Sequence, residues 1–255
     1  LMHTADGMPF TVAFESDTFG DRTIIVTVLE SRLSWASRFL SELKEGFYAS
    51  SILRGKTFTG KLQFIDRSSL RDDRMVIEET LKKNLNRDFV QYLALMPELE
   101  KKGIPSSRGV ILAGPPGCGK TMIIKNLIAN LPEDVTAIIV TPSEIKNDDI
   151  RCLFRMARRL SPSFVTFEDV DVAGAVSRDI VRHPVLGELL VALDGTDGNS
   201  GVLCIASTNQ LEYLDTAIVA RPGRFDRVIL VTEPDEEQRR TILGNALKLF
   251  GATKG

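Results

Sequence analysis

The sequence predicts an α/β fold: a parallel sheet flanked by helices, preceded by a small α/β N-terminal domain and followed by the beginning of a helical lid. Three observations carry this expectation. The apolar runs at Gly109–Ala113, Ala137–Thr141, Ser163–Phe167 and Val202–Ser207 have the length and near-continuous hydrophobicity of strands buried on both faces. Helical spacing of apolar residues, as over Met122–Ile128, alternates with them. Three of the runs end in residues able to bind or react, where ligands gather in open α/β sheets.

Taken in order, Pro9–Phe14 and Thr23–Leu29 read as strands joined by the turn-rich stretch Glu15–Arg22. A helix with Leu33, Ala36, Leu40 and Leu43 on one face follows, and Gly46 is placed to end it. Trp35 on that helix reads as core. Gly60–Ile65 would be a third strand, closing a small α/β domain over residues 1–66. Residues 67–100 form a linker with a long helix, capped by Asp72 or Asp73 and carrying Ile77, Leu81, Leu85, Phe89 and Leu93 inward. The charges from Glu78 to Lys83 read as its solvated face. The core spans 101–233, and residues 234–255 begin a lid whose first helix starts near Pro234.

The chemistry starts at Gly114-Pro115-Pro116-Gly117-Cys118-Gly119-Lys120-Thr121, followed by Met122. A strand precedes this turn and a helix follows it, the context a phosphate cradle requires. Glycines let backbone N–H groups approach phosphates, and the helix N-terminus adds its positive dipole end. Lys120 would reach the β- and γ-phosphates and the Thr121 hydroxyl would ligate Mg²⁺, so the expected ligands are ATP and Mg²⁺. Ser163–Phe167 then delivers Glu168 and Asp169 to the same sheet edge. Glu168 would hold the Mg²⁺, partly through water, and Asp169 would orient or deprotonate the attacking water. Asn209, after the strand Val202–Ser207, could hydrogen-bond a γ-phosphate or that water. Arg221, Arg224 and Arg227, spaced by threes around Pro222-Gly223, read as a presented guanidinium array suited to charge on a transferring phosphoryl group.

These residues carry a family resemblance. The order cradle, Phe167-Glu168-Asp169-Val170-Asp171, Ser207-Thr208-Asn209 and Ala220–Arg227 resembles the AAA ATPases, including their second region of homology, over about residues 66–245. The resemblance implies a P-loop NTPase core with a five-stranded parallel sheet, Walker A at Gly114–Thr121, Walker B at Phe164–Asp169 and a sensor asparagine at Asn209. It also implies arginine fingers at Arg221 and Arg224, acting on the ATP of the next subunit of a hexameric ring with a chaperone-like action on protein clients. Leu189–Gly195 is similar to the family helix that precedes the sensor strand, and Lys102–Pro105 to its approach to the first strand. Met75 and Val76 lie where the family's backbone touches adenine.

Two departures matter. The order Glu168-Asp169 reverses the family's usual Asp-Glu, setting the attacking water's carboxylate one methylene further back. Pro142–Asp149 has neither the aromatic residue nor the glycine of a pore loop that grips extended polypeptide, so hand-over-hand threading is not expected. The Glu-Asp order leaves open a nucleotide-gated assembly scaffold with little hydrolysis. Clamp loaders and helicases share this core, which leaves a nucleic-acid remodelling ATPase as a further alternative. A formal charge of −2 favours protein clients over nucleic acid. No apolar run approaches the ~20 residues that cross a bilayer, and no secretory leader is apparent. Cys118, Cys152 and Cys204 suit a reducing compartment without disulfides or zinc, so the cytoplasm is the expected location. His3 and His183 lack metal-ligand companions. The chain begins at Leu1 and has room for one lid helix, which reads as a fragment.

Overall fold

In a computed structural model of the chain, the residues described are 2–4, 6–16, 22–72, 74–104, 106–141, 147–170, 200–209 and 225–249. The chain divides into two compact units, Leu1–Ser51 and Ile52–Gly255.

The first unit is an antiparallel sheet of β1 (Met2–His3), β2 (Pro9–Ser16) and β3 (Arg22–Thr27), in that order, with Val12 opposite Val26. Helix α1 (Leu33–Ala49) follows. Trp35 and Phe39 stack at 5.2 Å, and both meet Phe10 edge-on, at 5.0 and 5.6 Å. Trp35 therefore packs as core. That contact also sets the rotation of the helix: Ala36 is buried, while Leu33 and Leu43 of the expected apolar face are exposed. Gly46 does not end the helix. It keeps helical geometry, and its carbonyl accepts hydrogen bonds from the Ser50 N–H and hydroxyl one turn later.

The second unit is built on a six-stranded parallel sheet in the order β4-β6-β7-β8-β5-β9. Its strands are β4 (Thr57–Thr59), β5 (Arg108–Ala113), β6 (Thr136–Val140), β7 (Ser163–Phe167), β8 (Val202–Thr208) and β9 (Phe225–Leu230). Every residue of β6, β7 and β8 is buried, as expected for strands covered on both faces.

Two strands differ from the sequence expectation. Gly60–Ile65 is not a strand of the first unit. The chain turns at Leu62, where φ is +62° and the N–H bonds the Thr59 carbonyl, and doubles back so that Phe58 bridges Phe64. The residues just before that turn, Thr57–Thr59, instead join the second unit's sheet as a sixth strand beside β6. At the opposite edge, Phe225–Arg227 opens β9 and is no part of a free guanidinium array.

The helix expected from Asp72 or Asp73 starts later. Asp72 accepts from the Arg74 N–H and guanidinium, so its carboxylate closes a local turn, and Asp73 lies outside the described residues. Helix α2 runs over Glu79–Leu85, a π-helical turn over Asn86–Gln91, and α3 over Tyr92–Lys101. Leu81, Leu85, Phe89 and Leu93 do point inward, against Ile123, Ile124, Ile128 and Phe164. Helix α4 (Lys120–Ala129) follows β5, α5 (Asn147–Arg159) precedes β7, and α6 (Glu236–Leu249) follows β9. Asp235 and Gln238 cap α6 reciprocally, each side chain accepting the other's N–H. Among the described residues no helix is long and apolar enough to cross a membrane.

Candidate functional site

Because β5, β7 and β8 are adjacent and parallel, their C-terminal ends open on one edge of the sheet. β5 delivers the glycine turn there, β7 delivers Glu168 and Asp169, and β8 delivers Asn209.

Glycine is required in the turn for two different reasons. At Gly114 a Cβ would lie 2.0 Å from the Val231 carbonyl oxygen, so the backbone just after β9 leaves no room for a side chain. At Gly117 and Gly119 the backbone is left-handed, φ +81° and +92°, and a Cβ there would meet nothing within 4 Å. The turn thus presents open space in front of backbone N–H groups and the N-terminus of α4, a cradle that fits a phosphate chain. Pro115 and Pro116 are exposed, Cys118 is partly buried, and Met122 is exposed beside a cleft.

Lys120 is buried, at 5% exposure, and its amine donates to the carbonyls of Gly114 and Pro115 and to Asn209 Oδ1, at 2.7–2.8 Å. The Thr121 hydroxyl donates to Glu168 Oε2 at 3.3 Å. Burial raises the Glu168 carboxyl above its ordinary range, opposed by the Lys125 charge and the Thr121 hydrogen bond and reinforced by Asp169. A half-buried carboxylate beside a hydroxyl fits a cation that takes its other ligands from phosphate and water.

Asp169 holds left-handed backbone at φ +47°, a conformation most side chains avoid. Its N–H donates to Ser207 Oγ at 2.9 Å, and the Val170 N–H donates to the Ser207 carbonyl. Asn209 Nδ2 donates to Asp169 Oδ1 at 3.4 Å. Lys120, Asn209 and Asp169 therefore form one chain of contacts, while Glu168 pairs with Thr121.

Beside the turn lies a cleft of about 350 Å³ lined by Met75, Val76, Ile77, Gly117, Cys118 and Met122, with Gln238 and Asn245 of α6 on its other wall. Asn245 Nδ2 donates to the Arg74 carbonyl, which holds α6 against the segment 74–77. Ser207, Gln238 and Asn245 are site residues that sequence reasoning missed. Ser207 reads in the sequence as part of the Ser207-Thr208-Asn209 motif without a task of its own, and the two α6 residues bear no motif. Arg221 and Arg224, the helix expected at Leu189–Gly195, most of Pro142–Asp149, Pro105 and His183 lie outside the described residues.

Comparison with known proteins gives a consistent set of likenesses. The model of the ATPase family associated with various cellular activities (AAA) matches residues 110–233. The chain is 35% identical over 179 residues to the ATP-dependent zinc metalloprotease FtsH 2 of Bdellovibrio bacteriovorus, covering 65% of this chain and 29% of that protein. It is 37% identical over 179 residues to the proteasome-activating nucleotidase of Pyrococcus abyssi, covering 64% and 44%. Protein SAV of Sulfolobus acidocaldarius is 36% identical over 170 residues, covering 62% and 21%. The matches thus span less than half the length of each of these relatives.

Proposed function

From the premise that the chain carries an AAA domain over residues 110–233, we propose that it is a Mg²⁺-dependent ATPase that couples nucleotide turnover, in a self-associated ring, to remodelling or assembly of protein clients. The observation that carries the proposal is the convergence of Lys120, the Thr121–Glu168 pair and the Asp169–Asn209 pair on one sheet edge behind an open glycine turn. The relatives named ATP-dependent protease and proteasome-activating nucleotidase support the coupling to protein clients.

Each residue has a stated task. Lys120 gives up the Gly114 and Pro115 carbonyls to bind β- and γ-phosphate oxygens, and the N–H groups of the turn bind the rest. Thr121 and Glu168 hold the cation, which when bound neutralises charge on the phosphoryl oxygens. Asp169 accepts a proton from the attacking water while Asn209 fixes its orientation. Met75, Val76 and the α6 wall enclose the base. Arg221 and Arg224 of an adjacent copy stabilise the transferring phosphoryl group.

The direct test is ATP turnover by the wild-type chain beside Lys120→Ala. Turnover that survives the substitution, or that depends on added single- or double-stranded DNA and falls steeply with salt, overturns the reading. A nucleotide-gated scaffold is the second reading, favoured by the Glu168-Asp169 order, in which the shorter carboxylate is already engaged by Asn209.

A further inference from the structure

At the opposite edge of the sheet from the nucleotide cleft, two backbone irregularities meet. One is the π-helical turn Asn86–Gln91, which carries Asp88, a carboxylate only 1% exposed. The other is a register slip between β5 and β9: Gly109 faces Phe225 and Val110 faces Arg227, so Asp226 is skipped in the pairing with β5. Irregular turns and bulges of this kind are used to re-aim chain segments.

Three guanidiniums join the two. Arg227 Nε donates to Asp88 Oδ2 at 3.1 Å, Arg87 grips both carboxylate oxygens at 3.0 Å, and Arg108 spans Asp88 at 3.5 Å and Asp226 at 3.6 Å while covering the Tyr92 ring. Burial alone would raise the Asp88 carboxyl, but hydrogen bonds and charge from Arg87 and Arg227 outweigh it and hold it below the usual range.

A buried ion pair stabilises little once desolvation is counted, and its best-attested use is to specify register. Register is what changes at the start of β9. Among the described residues it is an edge strand paired with β5 alone, and its slip occurs at its first residues. Arg87 and Arg108 already suffice to neutralise Asp88. Arg227, 42% exposed, adds a tie between the π turn and the first residues of the strand.

We infer that Asp88 is a positioning residue for Arg221 and Arg224: by clamping Arg227 it fixes the point at which the chain leaves those arginines, Phe225 following Arg224 directly. The inference rests on the proposed role of the two arginines toward the nucleotide of a neighbouring copy. It assigns Arg227 to anchoring and withholds it from the phosphoryl group.

The test is steady-state ATPase activity of full-length wild type, Asp88→Asn, Arg227→Gln, their double variant and Arg221→Ala. Asp88→Asn is expected to lower kcat by about 10- to 100-fold, as misplacement of a reacting group by about 1 Å does, with KM within about twofold. The double variant should be no worse than either single one, since both break the same tie. A further readout distinguishes positioning from loss of fold. Asp88→Asn keeps its own cradle and Lys120→Ala keeps its own arginines, so mixing the two inactive chains should restore turnover above either alone. Should Asp88→Asn fail to fold, Arg227→Lys and Arg227→Gln, at a half-exposed side chain, decide in its place by the same mixing. Wild-type kcat in the anchor variants while Arg221→Ala loses activity overturns this inference and leaves the arginine assignment standing. Loss of kcat without restoration on mixing overturns it equally. Unchanged kcat in Arg221→Ala, with Lys120→Ala inactive, removes the arginine assignment and this inference with it.

Discussion

Lys120 Nζ lies 2.8 Å from Asn209 Oδ1, so the amine of the glycine turn and the amide at the end of β8 form one hydrogen-bonded unit across 89 residues of sequence. Asn209 spends its other end on Asp169. Any movement of the Lys120 amine toward a phosphate is therefore felt at the carboxylate assigned to water.

Lys120→Ala removes three charge-assisted donations from a loop whose shape is set by Gly114 against Val231 rather than by the amine. Nucleotide affinity is expected to fall by at least about 100-fold, the loss of one or two such bonds at about 1.5–3 kcal/mol each, with the near-ultraviolet circular dichroism unchanged. Equilibrium titration with a fluorescent ATP analogue measures it.

Asp169→Asn keeps an oxygen for the Asn209 amide and a side chain of the same size, so the site survives while the proposed proton acceptor does not. Turnover should drop by about 10²–10⁴-fold with binding retained. Equal, near-zero rates in wild type and variant would instead mark the scaffold.

Glu168 gives a pH signature with a definite sign. Burial keeps its proton in the folded chain at pH values where the unfolded chain has released it. The folded state then binds more protons, so this contribution to stability is full below the ordinary glutamate range and is lost as pH rises through the raised value. Without divalent cations, thermal unfolding of wild type should weaken across that window, and Glu168→Gln should flatten the slope. A Glu168→Gln curve parallel to wild type contradicts the assignment.

Truncation tests where the second unit begins. Phe58 of β4 is fully buried, and emptying such an aromatic site costs about 3–5 kcal/mol. A chain starting at Ile52 is expected to unfold cooperatively at the wild-type temperature of its second unit, whereas one starting at Arg67 should melt well below it. Differential scanning calorimetry separates them.

If the arginines are supplied from an adjacent copy, as proposed, ATPase activity per chain should rise with chain concentration, and Arg221→Ala or Arg224→Ala should abolish the rise. Concentration-independent activity would return the site to a single chain.

What the sequence revealed was local. The glycine turn, the Glu168-Asp169 pair and Asn209 are legible because a strand end, a few residues and a helix start define each of them. The buried strands were legible because their hydrophobicity is continuous. What escaped depends on contacts distant in sequence. Three residues, Thr57–Thr59, are too short for any period, and only their pairing with β6 makes them a strand. Asp88 looks like one more charge on a helix, and its burial follows from Arg108 and Arg227, 20 and 139 residues away. Asp72 had the right chemistry for a helix cap but is consumed by Arg74 two residues on. Gly46 had the right type for a helix end, yet nothing there demands left-handed backbone.

Gly114 faces an obstacle of a particular kind. Its neighbour is a main-chain oxygen, common to all twenty amino acids, so no substitution at Val231 can make space for even a methyl group. A second-site suppressor of Gly114→Ala would have to shift the whole peptide after β9, and the base-side cleft with it. Among the glycines of the turn, this is the one whose loss evolution cannot repair by exchanging the residue next door.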